Sequence, residues 1–189
     1  MVGTSHTIDR ITYSIMRIGL LSDTHGDLDP KVFQYFESCD EIWHAGDIGD
    51  PTVTDALRAF RPLRAVHGNI DNKELCIRYP ENNQFVCEGM KVLITHIAGK
   101  PPNYNPRVKK LLNQLAPDIF ICGHSHLLLI KRDPAFRNLL FINPGAAGNH
   151  GFHKVKTLVR FEINQRVISN MEVIEIGKRG AIFNTGTER

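Results

Sequence analysis

The sequence predicts an α/β protein in which two β-sheets pack face to face with helices on the outside. Three observations carry this expectation. The first half of the chain alternates short apolar runs with amphipathic stretches, the signature of βαβ units. From Leu127 onward the pattern reads as strands only. The 189 residues suit one domain with a sizeable core, and no internal repeat or low-complexity stretch divides them.

Taken in order, Arg17 to Ser22 (RIGLLS) reads as a buried strand, and Pro30 to Ser38 as a helix that turns Val32, Phe33 and Phe36 inward. Glu41 to Ala45 is a second strand. Asp50-Pro51 supplies an N-cap and a first-turn proline for a helix reaching about Phe60. Arg64 to His67 is a third strand, and this βαβαβ pattern implies parallel strands whose ligands gather at the carboxyl ends. Asp71 to Pro80 reads as a loop. Gln84 to Cys87 and Lys91 to Thr95, joined by Glu88-Gly89, form a hairpin. Asn105-Pro106 opens a helix to about Leu115, followed by a strand from Asp118 to Cys122. Leu127–131, Leu139–142, Thr157–163 and Val167–176 complete the strands. Segments 1–15 and 178–189 are expected to be flexible tails around a domain spanning 16–177, with Met16 an alternative start.

Composition narrows the function. Apolar content of 42% and charged content of 23% are ordinary for a globular protein. The net charge of +3 comes from scattered Lys and Arg, with short clusters only at Lys109-Lys110 and Lys131-Arg132, so no dedicated nucleic-acid surface is expected. No run is long enough to span a bilayer, and the polar segment Met1 to Tyr13 lacks the apolar centre of a signal peptide. Cys39, Cys76, Cys87 and Cys122 show no CxxC pairing, which suits a reduced, cytoplasmic protein.

The chemistry sits at the strand ends. Gly123-His124-Ser125-His126 follows a buried strand, and residues i and i+2 of an extended chain point to one side. Strand one ends in Ser22-Asp23-Thr24-His25, another such pair. Strand two ends in Gly46-Asp47, strand three in Gly68-Asn69-Ile70-Asp71, and the hairpin in Thr95-His96. Asp23, His25, Asp47, Asn69, His96, His124 and His126 therefore reach one edge. These oxygen and nitrogen donors exceed what one tetrahedral ion takes. They suit two divalent metals about 3.5–4 Å apart with a bridging carboxylate. Without thiolates, Mn²⁺ is the first choice, with Fe, Zn²⁺ or Ni²⁺ as alternatives.

In that order, D-x-H, G-D, G-N-x-D, T-H and G-H-x-H resemble the motifs of the calcineurin-like metallophosphoesterases. The compact length is similar to their small single-domain phosphodiesterase branch, and the likeness covers about Met16 to Ile176. The resemblance implies a four-layer αββα sandwich of two mixed β-sheets flanked by helices. It implies that Asp23, His25, Asp47 and His126 hold one metal, and that Asp47 bridges to a second held by Asn69, His96 and His124. Asp47, Asn69 and His96 are the expected catalytic residues. Asn143-Pro144-Gly145 also resembles a family loop near the site.

Two positions depart from the family pattern. Ile70 stands where many phosphomonoesterases of the superfamily carry the histidine of G-N-H-[DE], and Thr95-His96 continues as Ile97-Ala98-Gly99 rather than T-H-G-H. Other polar residues have ordinary explanations. Asp71 is expected to brace the Asn69 loop, Asp27 and Asp29 to serve the turn before Pro30, and His44 and His67 to be partly buried and hydrogen-bonded. His150 and His153 are expected at the surface of a glycine-containing loop.

The expected function is hydrolysis of a small phosphodiester by in-line attack of metal-bound hydroxide. The natural substrate and any homo-oligomer are left open. The rival is a catalytically weak binding module resembling the retromer subunit of this fold, in which an apolar surface does the work. The full ligand set weighs against it.

Overall fold

The structure, a computed structural model, describes residues 15–180. The expected tails lie outside the described residues apart from Ile15 and 178–180. Strand β1 (Met16–Leu21) leads through helix α1 (Lys31–Tyr35) to β2 (Glu41–His44), then α2 (Pro51–Phe60) and β3 (Leu63–Ala65). Helix α3 (Lys73–Arg78) precedes the hairpin β4 (Asn82–Cys87) and β5 (Met90–Thr95). A two-residue pair, β6 (Gly99–Lys100) and β7 (Asn103–Tyr104), leads to α4 (Pro106–Leu115) and β8 (Ile119–Ile121). The chain closes with β9 (Leu129–Asp133), β10 (Leu139–Asn143), β11 (Val155–Asn164) and β12 (Val167–Lys178).

Two mixed five-stranded sheets result, ordered β12-β11-β1-β2-β3 and β4-β5-β8-β10-β9. Strands β1, β2 and β3 run parallel, as the βαβαβ pattern requires, and β5, β8 and β10 run parallel in the other sheet. The inner faces bury Ile18, Leu20, Trp43, Val92, Ile94, Ile119, Ile142 and Phe161 against one another. Trp43 meets Phe85 and Phe161 edge to face at 5.1 and 5.6 Å, contacts worth about 0.5–1.5 kcal/mol each beyond area burial. The outer face of the first sheet is covered by Val32 and Phe36, Val53 and Leu57 of α2, and Leu75 of α3. Val108 and Leu112 of α4 cover Leu93, Phe120 and Phe141 of the second. The layers are helix, sheet, sheet, helix.

Sequence pattern located the strands better than the short helices. The α2 and α4 caps form as expected, Asp50 accepting from the Thr52 amide (2.8 Å) and Asn105 from the Val108 amide (2.8 Å). The stretch expected to be a loop from Asp71 to Pro80 contains α3 instead. Asn72 accepts from the Leu75 amide at 3.0 Å, and Leu75 is the helix's one buried side chain, too little for a periodic signal. Helix α1 stops at Tyr35 rather than Ser38, where the Phe36 ring turns down over Gly19 and closes the segment. A buried ion pair, Lys156 Nζ to Asp29 Oδ2 at 2.7 Å, ties the start of α1 to β11. Removing either partner would strand a buried charge at a cost of about 3–5 kcal/mol. Among the described residues, no helix is long and apolar enough to cross a membrane.

Candidate metal centre

Because β1, β2 and β3 are parallel in one sheet, and β5 and β8 in the other, their carboxyl ends face a common edge. The loops leaving them are bonded to each other. The Asp23 amide donates to the Gly46 carbonyl (3.0 Å), the His25 amide to the Asp47 carbonyl (3.0 Å), and the Gly123 amide to the His96 carbonyl (3.0 Å). The turns are sharp enough that Asp23, His25, Asp47, His124 and His126 all adopt positive φ, between 49° and 68°. Non-glycine residues rarely sit there, and such strain persists where surrounding structure enforces it. Backbone must also come close. A Cβ on Gly68 would lie 2.0 Å from Asp47 Oδ1, and one on Gly123 would lie 2.0 Å from Ser22 Oγ.

Two groups of donor atoms form within this edge. Asp23, His25 and His126 make one, and Asp47, His96 and His124 the other, with donor atoms within 4.8 Å of one another in each. Asp47 lies between them. Its Oδ1 is 3.1 Å from His96 Nε2 and its Oδ2 is 3.7 Å from His25 Nε2. Asp23 Oδ1 is 3.2 Å from His126 Nε2 and 3.9 Å from His96 Nε2. Asn69 is exposed in the loop after β3 and shares a pocket wall with His96.

The hydrogen bonds fix which ring nitrogens carry protons. His96 Nδ1 is 2.8 Å from the Ala45 carbonyl, which can only accept, so Nδ1 carries the hydrogen. In the neutral ring, Nε2 then presents a lone pair toward the Asp23 and Asp47 carboxylates, and it is buried without a hydrogen-bond partner. A lone pair facing two carboxylates is unfavourable unless a cation lies between them. In the absence of metal, that cation is a proton. Burial opposes protonation of His96, but Asp47 and Asp23 outweigh it and hold the imidazole above its ordinary pKa. Burial raises the pKa of Asp47, yet His96 and the Ile70 amide bring it below the usual carboxylate value. The donor set and this orphaned nitrogen fit a metal pair.

The first group has its own backing. His153 Nε2 is 3.0 Å from the Gly148 carbonyl, so its Nδ1 is free to accept, and His126 Nδ1 lies 3.3 Å away. His126 therefore directs Nε2 at Asp23. Burial keeps the pKa of His153 low, favouring the neutral ring that can accept. The expectation that His153 is a surface residue is thus corrected. It is buried, because the loop after β10 folds back over β1, the Gly148 amide reaching the Asp23 carbonyl at 3.1 Å. His150 does stay exposed, its ring 4.8 Å from that of His25. Burial is also the main cause that lowers the pKa of His25.

The bracing residues follow expectation more closely. Asp71 accepts from the Gly68 amide and the Gly49 amide, both at 2.7 Å, and so brings the β3 loop to the Asp47 loop. His44, fully buried, accepts from the Gly46 amide (3.2 Å) and pairs with Thr24 Oγ1 (3.0 Å), linking the loops after β1 and β2. Asn143 Nδ2 donates to the Gly123 carbonyl (2.8 Å) and Ser125 Oγ (3.1 Å), holding the G-H-S-H turn. The positioning roles of His153 and Asn143 were not read from the sequence. The signals were the resemblance of Asn143-Pro144-Gly145 to a family loop near the site and the glycine-rich spacing after it.

Comparison with known proteins adds a family and a fold. A sequence profile of the calcineurin-like phosphoesterase superfamily domain matches residues 16–166. A probable metallophosphoesterase of Methanothermobacter thermautotrophicus is 29% identical over 136 residues, 69% of this chain and 77% of the relative. Among solved structures, a single mutant of Vps29 from Entamoeba histolytica superposes with a TM-score of 0.66 at 20% identity, covering 86% of this chain and all (100%) of that one. A structure described as a novel archaeal phosphodiesterase gives 0.66 at 20% identity, covering 84% and 100%. At those identities the two structures speak for the fold.

Proposed function

The chain belongs to the calcineurin-like phosphoesterase superfamily, and we propose that within it this protein is a phosphodiesterase dependent on two divalent metal ions. One observation carries the reading: the Asp47 carboxylate turns one oxygen toward His96 and the other toward His25. Asp23, His25, Asp47 and His126 would hold one ion; Asp47, Asn69, His96 and His124 would hold the other. When bound, two such ions supply an acidified water and positive charge for the phosphoryl oxygens. Mn²⁺ is the first choice because no thiolate stands among the donors and the carboxylate and amide oxygens suit it, and the imidazoles also suit Fe, Zn²⁺ and Ni²⁺. The four free cysteines fit a reducing, cytoplasmic setting.

The chain's own residues set the preference for a diester. Hydrolysis forms one P–O bond from water and breaks one ester P–O bond, and the departing oxygen takes up a proton. Asn69, exposed at the pocket wall shared with His96, would donate its amide hydrogens to a phosphoryl oxygen. Ile70 is 46% exposed beside it and offers neither charge nor proton. A monoester dianion needs more neutralisation than a diester monoanion. Without a positioned acid, worth about 10²–10⁴-fold, good leaving groups are favoured.

The test compares bis(p-nitrophenyl) phosphate with p-nitrophenyl phosphate at equal Mn²⁺ loading. The diester should be cleaved faster, and Ile70→His should raise monoesterase turnover. A preference of the unmodified protein for the monoester overturns the reading. The scaffold alternative, in line with the Vps29 likeness, draws support from the exposed Ile97, Leu127, Leu128 and Phe152. Metal-replete protein that hydrolyses neither ester would favour it.

A further inference from the structure

The rings of His96 and His124 lie edge to face, 5.3 Å between centroids, and a pocket opens beside each. The pocket beside His96, about 450 Å³, is bordered by His67, Asn69, Glu81, Asn105 and Arg107. The pocket beside His124, about 420 Å³, is bordered by Ala98, Leu127, Leu128, Leu129, Phe141 and Lys100. The segment 95–100 runs along both, Thr95 to Ile97 in the first wall and Ala98 to Lys100 in the second. Two cavities of similar size thus each have one ring of the same donor group in the wall.

The second cavity has an apolar wall for which the fold itself gives no reason. Strand β9 begins only at Leu129, so Leu127 and Leu128 belong to the turn that directly follows His126. They are 62% and 40% exposed, although their neighbours in sequence are devoted to the metal centre. Phe141 closes the floor and is buried. Asn143, also in the wall, spends its side chain on Gly123, Ser125 and Gly145. Lys100 is exposed in the wall and brings positive charge to the side where a phosphodiester anion would enter.

We propose that the leucine-lined pocket beside His124 binds an apolar ester arm, alkyl or aryl, of the phosphodiester substrate, while the pocket beside His96 receives the other arm. This rests on the phosphodiesterase reading and sharpens it to diesters that carry one hydrocarbon arm. A phosphate at the second group of donors has a cavity on each side, which a monoester with a single arm does not need. Covering Leu127, Leu128 and Phe141 with hydrocarbon removes apolar surface from water on both partners, which is favourable in proportion to area.

The experiment uses p-nitrophenyl alkyl phosphates with methyl, butyl and hexyl arms, so that the leaving group is constant. With Mn²⁺-loaded full-length protein, kcat/KM should rise at least about tenfold from methyl to hexyl, since each buried methylene is worth up to about fourfold. Leu128→Glu should flatten that series, whereas Ile77→Glu, an exposed apolar side chain on α3 outside the pocket, should preserve it. Hydrolysis of all three esters with no dependence on arm length would overturn the subsite and leave the phosphodiesterase reading intact. If no diester is hydrolysed, that reading fails, and the subsite is decided by calorimetric titration of methyl and hexyl methylphosphonate. Tenfold tighter binding of the hexyl compound, lost in Leu128→Glu, supports it; equal binding rejects it.

Discussion

Asp23 and His126 are braced from behind, while beyond Asp47 the rings of His96 and His124 each border a cavity. His126 is steered by His153, which is steered in turn by the Gly148 carbonyl, and the Gly148 amide returns to Asp23. On the other side, His96 is fixed by a single carbonyl, His124 is exposed, and cavities flank both rings. Residues behind an imidazole set its tautomer and its affinity for metal, whereas open faces admit substrate. In the proposed centre the first half is the braced one and the second is the one beside the cavities. Asp47 joins them.

That shared carboxylate gives the largest expected effect. Asp47→Ala should take metal content, measured by elemental analysis after dialysis, from about two ions per chain to fewer than one, and abolish hydrolysis. Retention of both ions would show that the two halves do not depend on a bridge.

The second effect concerns His44, which lies beneath both halves and ties the Thr24 turn to Gly46. Burial lowers its pKa to about 4, against the partial opposition of Asp71 and Asp23. The unfolded chain, with an ordinary value of about 6.5, therefore binds the proton more readily than the folded one. Its contribution is complete above about pH 6.5 and falls away as the pH drops toward 4, by about 3 kcal/mol in total. Denaturant unfolding of metal-free protein at pH 7 and pH 4.5 measures this. His44→Gln should lower stability at pH 7 and reduce the difference between the two pH values. An unchanged difference would remove His44 as the pH-sensitive link.

A smaller effect separates the backing from the open face. His153→Ala should weaken the ion proposed at Asp23, His25 and His126 by about 10–100-fold in a chelator competition, because His126 loses the acceptor that orients it. His150→Ala removes an exposed ring beside His25 and should leave metal affinity within about twofold, changing turnover instead. Equal losses of affinity in both variants would erase the distinction between the two faces.

Residue pattern and connectivity were enough to set the layers and the strand ends that carry the candidate donors. Period-two and apolar runs placed β1, β2, β5, β8 and β10 to within a few residues, because strands buried on both faces have little freedom in composition. Parallel order followed from βαβ connectivity, and with it the gathering of Asp23, His25, Asp47, Asn69, His96, His124 and His126 at one edge. Helix α3 escaped notice because one buried leucine gives no period. The family resemblance, not residue spacing, implied two groups about Asp47; the actual meeting of Asp23 with His25 and His126, and of Asp47 with His96 and His124, came from the folded chain, since neither group is contiguous in sequence. So did the positive φ values, which depend on loops bonded across 20 or more residues. The choice between His150 and His153 was made there too. Both lie in one polar, glycine-spaced loop, and what separates them is that this loop folds over β1 with one ring inside and the other out.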